Sequence, residues 1–249
     1  MLASHSTWGW TLAALLAAGT AAQSADPADT QWLDVESRIQ YGYYTEDRRA
    51  LEEVAAALAT DTSSTALRQY YLGLASYRLA LLDQSHRPDD ATQAAERCVS
   101  SLDDPSRVEA GAAEALALQA ACWRTLARLN PVRSPFFGVK GGSAMRHALA
   151  LAPGNPRVML LDALADYDQQ RDRSAVIAKL RKSVAAFERE RAGVERPPSW
   201  GAPEAYASLG RSLLEQGDAI AARGALEHAL LLVPDFAYAH RLMARITSG

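Results

Sequence analysis

The sequence predicts an all-α fold in which helical hairpins stack one after another into a solenoid. Apolar residues recur at helical spacing almost throughout the chain, and no segment shows the alternating, β-branched pattern of a strand. A 34-residue segment, Pro203–Phe236, has the pattern of a helix–turn–helix repeat. Because one hairpin cannot bury its apolar face alone, such units stabilise one another by stacking.

The composition is that of an ordinary folded protein. The chain has 249 residues, of which 49% are hydrophobic and 22% charged, and its formal net charge is −3. Proteins that bind nucleic acid usually carry a basic excess, so we expect no nucleic-acid partner.

The N-terminus predicts a signal peptide over residues 1–24. An apolar stretch, Trp8–Ala22, is followed by small residues suited to cleavage before Ala25. No cysteine lies near this point, so we expect no lipoprotein anchor. The hypothesis is a periplasmic or secreted protein with one helical repeat domain over 25–249 and no membrane span after cleavage.

Turn residues divide the remaining chain into five hairpins and a final helix. The best repeat is 203–236, where Gly210 and Ala222 allow two helices to cross closely, and Gly217 and Pro234 end the helices. The other predicted hairpins are Thr30–Tyr44 with Asp47–Ala59, the segment Leu67–Leu102, Val108–Leu129 with Ser143–Leu151, and Pro156–Glu190; a capping helix covers 237–247. The third hairpin is predicted to contain a long loop, Asn130–Gly142.

These patterns resemble the tetratricopeptide repeat family, best over Pro203–Phe236 and partly over Leu67–Leu102 and Gly141–Asp168. The chain also resembles a group of exported bacterial tetratricopeptide-like proteins of unsettled function. The residues that carry this second resemblance are Asn155-Pro156-Arg157, Pro198-Ser199-Trp200-Gly201 with Glu204, and Pro234-Asp235-Phe236. The resemblance implies a right-handed α-solenoid of about five hairpins plus the capping helix.

Two cysteines, Cys98 and Cys122, fall on helices expected to touch in adjacent hairpins. Export would permit a disulfide between them. The alternative is two buried thiols that pack as small hydrophobic residues. The sequence leaves both open.

The first helix of each hairpin is expected to line a concave groove that binds a protein or peptide. Tyrosine and arginine contribute strongly to binding interfaces, and arginine can grip a carboxylate such as a peptide C-terminus. The candidate groove residues are Tyr70, Tyr77, Arg78, Arg157, Tyr167, Arg211, Arg241 and Arg245. Packing in the core and solvation of the surface are the alternative roles for these residue types.

No motif for catalysis, a cofactor or a metal is recognisable. His228 and His240 lack the spacing of metal ligands. The segment Val139–Ser143 is interpreted as a flexible loop in which Ser143 caps a helix, and the less favoured alternative is an anion-binding site at that helix N-terminus. Trp200 is expected to cover apolar surface between two hairpins. The leading hypothesis is a non-enzymatic binding module. The alternatives are a structural subunit of an envelope or transport complex, and an enzyme whose site is not visible in the sequence.

Overall fold

The fold is all-α, as predicted. The computed structural model describes residues 27–62, 65–103, 111–193 and 196–247; the predicted signal peptide lies outside these ranges. Within them the chain forms helices and no strand. The helices are α1 Pro27–Tyr44, α2 Arg48–Thr60, α3 Ala66–Asp83, α4 Pro88–Ser101, α5 Ala112–Leu129, α6 Ser134–Leu151, α7 Pro156–Asp168, α8 Arg173–Arg191, α9 Ala202–Gln216, α10 Ala219–Leu232 and α11 Ala237–Thr247.

Consecutive helices pair as five hairpins, and α11 packs on α9 and α10 at the end of the stack. Local chemistry sets many of the helix boundaries. The side chains of Asp47, Asp172 and Asp218 accept hydrogen bonds from backbone amides in the first turns of α2, α8 and α10. Gly217, at φ 93°, adopts the left-handed conformation that ends α9.

The third hairpin differs from the prediction. The segment predicted as a loop, Asn130–Gly142, contains the first half of α6, which begins at Ser134. Pro135 suits a first helical turn, and Gly141 lets the helix lie against α5, because a Cβ there would stand 3.2 Å from both the Ala120 carbonyl oxygen and the Trp123 Cβ. Ser143 is therefore in mid-helix, so it neither caps a helix nor leaves an N-terminal anion site.

Cys98 on α4 and Cys122 on α5 are joined by a disulfide, with their Cα atoms 6.2 Å apart. The bond links the second hairpin to the third. The two cysteines are 24 positions apart in sequence, and closing a loop of this size restricts the unfolded chain enough to stabilise the fold by about 3 kcal/mol.

The crossing of α9 and α10 yields a prediction for two glycines. A Cβ on Gly210 would lie 2.7 Å from Leu226 Cγ, whereas a Cβ on Gly224 meets nothing within 4 Å. We expect Gly210→Ala to lower the free energy of unfolding by about 1–3 kcal/mol through overpacking. Gly224→Ala should raise it by about 0.5–1 kcal/mol, because alanine favours the helix. Urea unfolding followed by circular dichroism measures both, and equal effects would contradict the packing argument.

The stack curves until its two ends meet. The Tyr44 hydroxyl at the end of α1 donates a 2.7 Å hydrogen bond to Glu204 on α9, and the Tyr44 and Phe236 rings lie 4.7 Å apart. Arg241 on α11 pairs with Glu46, just after α1. The helical repeats therefore form a closed ring rather than an open, curved wall.

A segment between α8 and α9, residues 196–201, crosses the inside of this ring, and we call it the strap. The backbone amide and hydroxyl of Ser199 donate to the Glu36 carboxylate on α1. The Trp200 indole donates a 2.8 Å hydrogen bond to the Tyr70 hydroxyl on α3. The strap thus lies against the inner helices where a bound peptide was expected.

Candidate binding funnel

On one side of the strap the ring encloses a cavity of about 770 Å³, which we call the funnel. Its walls come from α7, the C-terminal parts of α1, α3 and α5, the start of α2, the turn after α3, and one face each of α9 and α11. Residues that represent these walls are Tyr43, Tyr77, Arg124, Leu164, Arg211 and Tyr238. The volume lies in the range of pockets that hold a small ligand or a short piece of peptide.

The base of the funnel is a buried ion pair beside an aromatic cluster. Arg78 donates to Glu204 and to Gln40, and its guanidinium lies 4.0 Å from the centre of the Tyr43 ring and 5.0 Å from that of Trp200. Burial by itself lowers the pKa of Arg78, but Glu204 and the neighbouring tyrosines Tyr43, Tyr44 and Tyr77 together more than offset this, so the pKa is raised. Arg78 is therefore a permanent cation at the base.

Higher in the funnel, arginines outnumber carboxylates. Asp83 is paired with Arg48 and Arg87, Asp168 is paired with Arg124 and Arg128, and Glu46 is paired with Arg241. With Arg78–Glu204, each of the four carboxylates that line the funnel has at least one arginine partner. The lining contains seven arginines in all, so it carries a net positive charge.

Arg211 on α9 stands outside these ion pairs in the described part of the chain. Its guanidinium lies 3.7 Å from the centre of the Tyr167 ring, and its positive charge opposes the rise that burial causes in the pKa of the nearby Tyr238 hydroxyl. Its Nε is buried and has no hydrogen-bond partner among the described residues. A cation held by aromatic rings keeps its charge available to a ligand.

Beyond the strap, away from the funnel, a second polar network is buried in the ring. Arg157 donates to Glu190 through two nitrogens, each at 2.9 Å, and to Glu114 at 3.3 Å. Asn155 donates to the same Glu114 oxygen at 2.6 Å. Burial raises the pKa of Glu114 above its usual value, and the positive charge of Arg157 opposes this rise.

Glu36 anchors the strap within this network. Its carboxylate accepts hydrogen bonds from Ser199 and from the Tyr71 hydroxyl. Burial raises the pKa of Glu36, and these hydrogen bonds work against that rise because they favour the charged form.

The structure corrects the predicted groove. Four of its candidate residues, Tyr70, Tyr77, Arg78 and Arg157, are buried, with exposed fractions of 1–3%. Tyr70 and Arg157 lie behind the strap and contact the protein's own residues, because the strap fills the inner surface there. Tyr77 and Arg78 lie at the funnel.

The other four candidates lie on α7, α9 and α11. Arg211 and Arg241 line the funnel. Tyr167 packs beside Arg211 and donates to Glu215, while Arg245 is exposed at the end of α11 and does not line the funnel. The histidines are separate: His228 stacks on Tyr206, and a ring nitrogen of His240 lies 2.6 Å from the Pro234 carbonyl oxygen.

Sequence reasoning missed funnel cations on the first and third hairpins. Arg124 and Arg128 are spaced four apart near the end of α5 and meet Asp168 on α7, and Arg48 begins α2 and meets Asp83 on α3. The four-residue spacing of Arg124 and Arg128 could have indicated one face of a helix. Their convergence on the funnel depends on how the hairpins stack, which no local pattern reveals.

Comparison with known proteins gives no family for this chain. No model of a protein family matches it, and no curated protein is similar enough to count as a match. Among solved structures, the assembly chaperone of RpL4 (Acl4) aligns at 13% identity with a TM-score of 0.44, covering 88% of this chain and 95% of that one. The APC/C hetero-tetramer Cut9-Hcn1 aligns at 13% identity with a TM-score of 0.40, covering 86% and 42%. Such values show nothing about function.

Proposed function

We propose that this chain is a non-enzymatic binding protein whose funnel receives the anionic end of a protein or peptide partner. The observation that supports this proposal most directly is Arg211, a funnel cation that packs on the Tyr167 ring and lies outside every ion pair of the described residues. An incoming carboxylate would give this guanidinium the partner it lacks.

The rest of the funnel suits such a guest. Tyr43, Tyr77 and Tyr238 offer rigid aromatic surface, and Leu81 and Leu164 offer apolar surface. Because the walls are helices fixed by ring closure, the binding surface is already formed before the partner arrives, which reduces the ordering cost of association.

Binding is favoured over catalysis by the state of the acidic groups. For a carboxyl group to act in general acid–base chemistry, it must be free to exchange a proton with the substrate. The funnel carboxylates Glu46, Asp83, Asp168 and Glu204 are all held in ion pairs with arginine. This arrangement supports anion recognition.

We further propose that the chain works outside the cytoplasm, in the periplasm or as a secreted protein. The apolar stretch Trp8–Ala22 is the first support. The second is the Cys98–Cys122 disulfide, since such bonds persist in oxidising compartments. In the described ranges, no helix is both long and apolar enough to cross a bilayer.

The chain from Ala25, immobilised on a resin, tests the binding proposal with two pools of random hexapeptides. The pools are identical except that one ends in a free carboxylate and the other in an amide. We expect the carboxylate pool to be retained more strongly, and Arg211→Gln to reduce that retention about tenfold or more, because a hydrogen bond to a charged group contributes about 1.5–3 kcal/mol.

Arg223→Gln is the matched control, because Arg223 is exposed on α10 and pairs with Glu227 away from the funnel. The Arg223→Gln chain should bind the peptides as the unchanged chain does. For both of these chains, 0.5 M salt should weaken the retention of the carboxylate pool. Equal retention of the two pools, or equal binding by the Arg211→Gln chain, would refute the proposed role of the funnel.

A further inference from the structure

The outer face of the third hairpin exposes apolar side chains that the funnel does not use. Val132 is 91% exposed, Val139 73% and Phe136 51%. They lie together on the turn before α6 and on its first two turns. Isolated exposed apolar residues are common on proteins, but a cluster of this kind marks an interaction surface. We call these three residues and the exposed Arg133 and Lys140 the α6 patch.

The chain segment that carries the α6 patch has charges of one sign. From Ala115 to Leu161 the chain has no aspartate or glutamate, although its overall net charge is −3. The guanidinium of Arg133 and the ammonium of Lys140 lie 5.9 Å and 5.8 Å from the centre of the Phe136 ring. Farther along the helix, Arg146 is exposed as well.

The patch is held on a rigid support. The neighbouring Phe137 ring is buried and stacks on Trp123 of α5 with centroids 5.6 Å apart. Gly141 brings the two helices into close contact, and the disulfide at Cys122 fixes α5 to α4. The exposed side chains are therefore presented on a surface that does not need to fold on binding.

We propose that the α6 patch attaches the protein to the surface of a bilayer that contains anionic lipid. Phe136, Val132 and Val139 enter the boundary between headgroups and acyl chains. Arg133 and Lys140 bind lipid phosphates, since their long apolar stems allow the charges to reach the headgroups. None of the five residues of the α6 patch lines the funnel.

A lipid surface fits the patch better than a protein partner does. A stable protein interface buries about 800 Å² on each side and involves roughly 20–30 residues. The α6 patch consists of only five side chains, on the turn before α6 and on its first two turns. Interfacial membrane helices combine aromatic and aliphatic residues with lysine and arginine in this way.

Cosedimentation of the chain from Ala25 with lipid vesicles tests the proposal. We expect binding to vesicles of phosphatidylcholine with phosphatidylglycerol, and at least tenfold weaker binding to phosphatidylcholine alone. The double variant Val132→Asp/Val139→Asp should lower binding to the anionic vesicles at least tenfold. Both positions are exposed, so circular dichroism and thermal unfolding should remain those of the unchanged chain.

The matched control is Ile220→Asp/Leu231→Asp on α10, where the side chains are 88% and 77% exposed. It changes the net charge by the same amount at another surface, so its binding should stay within about threefold of the unchanged chain. No binding to anionic vesicles would overturn the proposal, and so would a control variant that loses as much binding as the Val132/Val139 variant. Peptide retention by the funnel should be the same in both variants, which separates this result from the test of the funnel.

Discussion

Replacing Arg157 with alanine is expected to lower the free energy of unfolding by about 3–5 kcal/mol at pH 7. The Arg157 side chain is only 1% exposed and joins Glu114 on α5 to Glu190 on α8. Its loss leaves the Glu114 carboxylate buried without a cation, and an unpaired buried charge costs far more than an exposed one. The polar bridge across the third and fourth hairpins is lost with it.

The pH dependence of this effect has a definite sign. The pKa of Glu114 is already raised by burial, and removal of Arg157 raises it further because the opposing positive charge is gone. A carboxyl with a raised folded-state pKa is stabilised as its protonated form at low pH, and that stability is lost as the pH increases through the folded pKa. The decrease in the free energy of unfolding caused by Arg157→Ala should therefore be smaller at pH 5 than at pH 7.

Urea unfolding at the two pH values measures the Arg157 effect. Arg181→Ala is the control, because Arg181 is exposed on α8 and its replacement should change stability by no more than about 0.5 kcal/mol. Arg157→Met/Glu114→Gln should recover much of the loss, since it removes both charges and keeps most of the volume. An Arg157→Ala chain as stable as the control would mean that the buried network does not hold the hairpins together.

Replacing Trp200 with alanine is expected to lower the free energy of unfolding by about 3–5 kcal/mol. Trp200 is 3% exposed and anchors the strap inside the ring. The substitution leaves a cavity between α3 and the strap, removes the indole donor to the Tyr70 hydroxyl, and takes an aromatic face from Arg78. Trp200 also lines the base of the funnel. The substitution should therefore lower the retention of the carboxylate peptides as well as the stability.

A graded variant separates packing from hydrogen bonding at this position. Trp200→Phe keeps an aromatic ring but leaves the buried Tyr70 hydroxyl without its hydrogen-bond donor. We therefore expect the free energy of unfolding to fall by about 1–3 kcal/mol. Thermal and urea unfolding of the two variants provide the measurement. If Trp200→Ala costs less than 1 kcal/mol, the strap is not an integral part of the core.

Much of the helical architecture was accessible from sequence because its causes are local. Apolar spacing and turn residues predicted the order of the hairpins, and the predicted bounds of α1, α2 and α11 lie within three residues of the observed ones. Asp218 and Gly217 lie at helix ends as expected. α6 was predicted nine residues too short, since three glycines and two prolines usually indicate a loop. Packing overrode that preference, because Gly141 fits where α6 approaches α5.

The candidate site was only partly accessible, because it depends on contacts between distant residues. Arg211 and Arg241 were singled out and do line the funnel, whereas Arg124 and Arg128 were not. The three sequence signatures gave no hint of the distant residues that each of them contacts. There Arg157 bridges hairpins, Glu204 binds Arg78 and Phe236 packs on Tyr44.

The sequence by itself determined that helix pairs would stack in order, because each hairpin carries an apolar face that only its neighbours can cover. The tertiary structure alone decided that the stack closes into a ring, that the strap occupies its interior and that a cationic funnel remains. These features depend on pairs such as Tyr44–Glu204 and Glu36–Ser199, which are 160 and 163 residues apart in the chain. Their geometry is the sum of small rotations between successive hairpins, which local residue patterns do not encode.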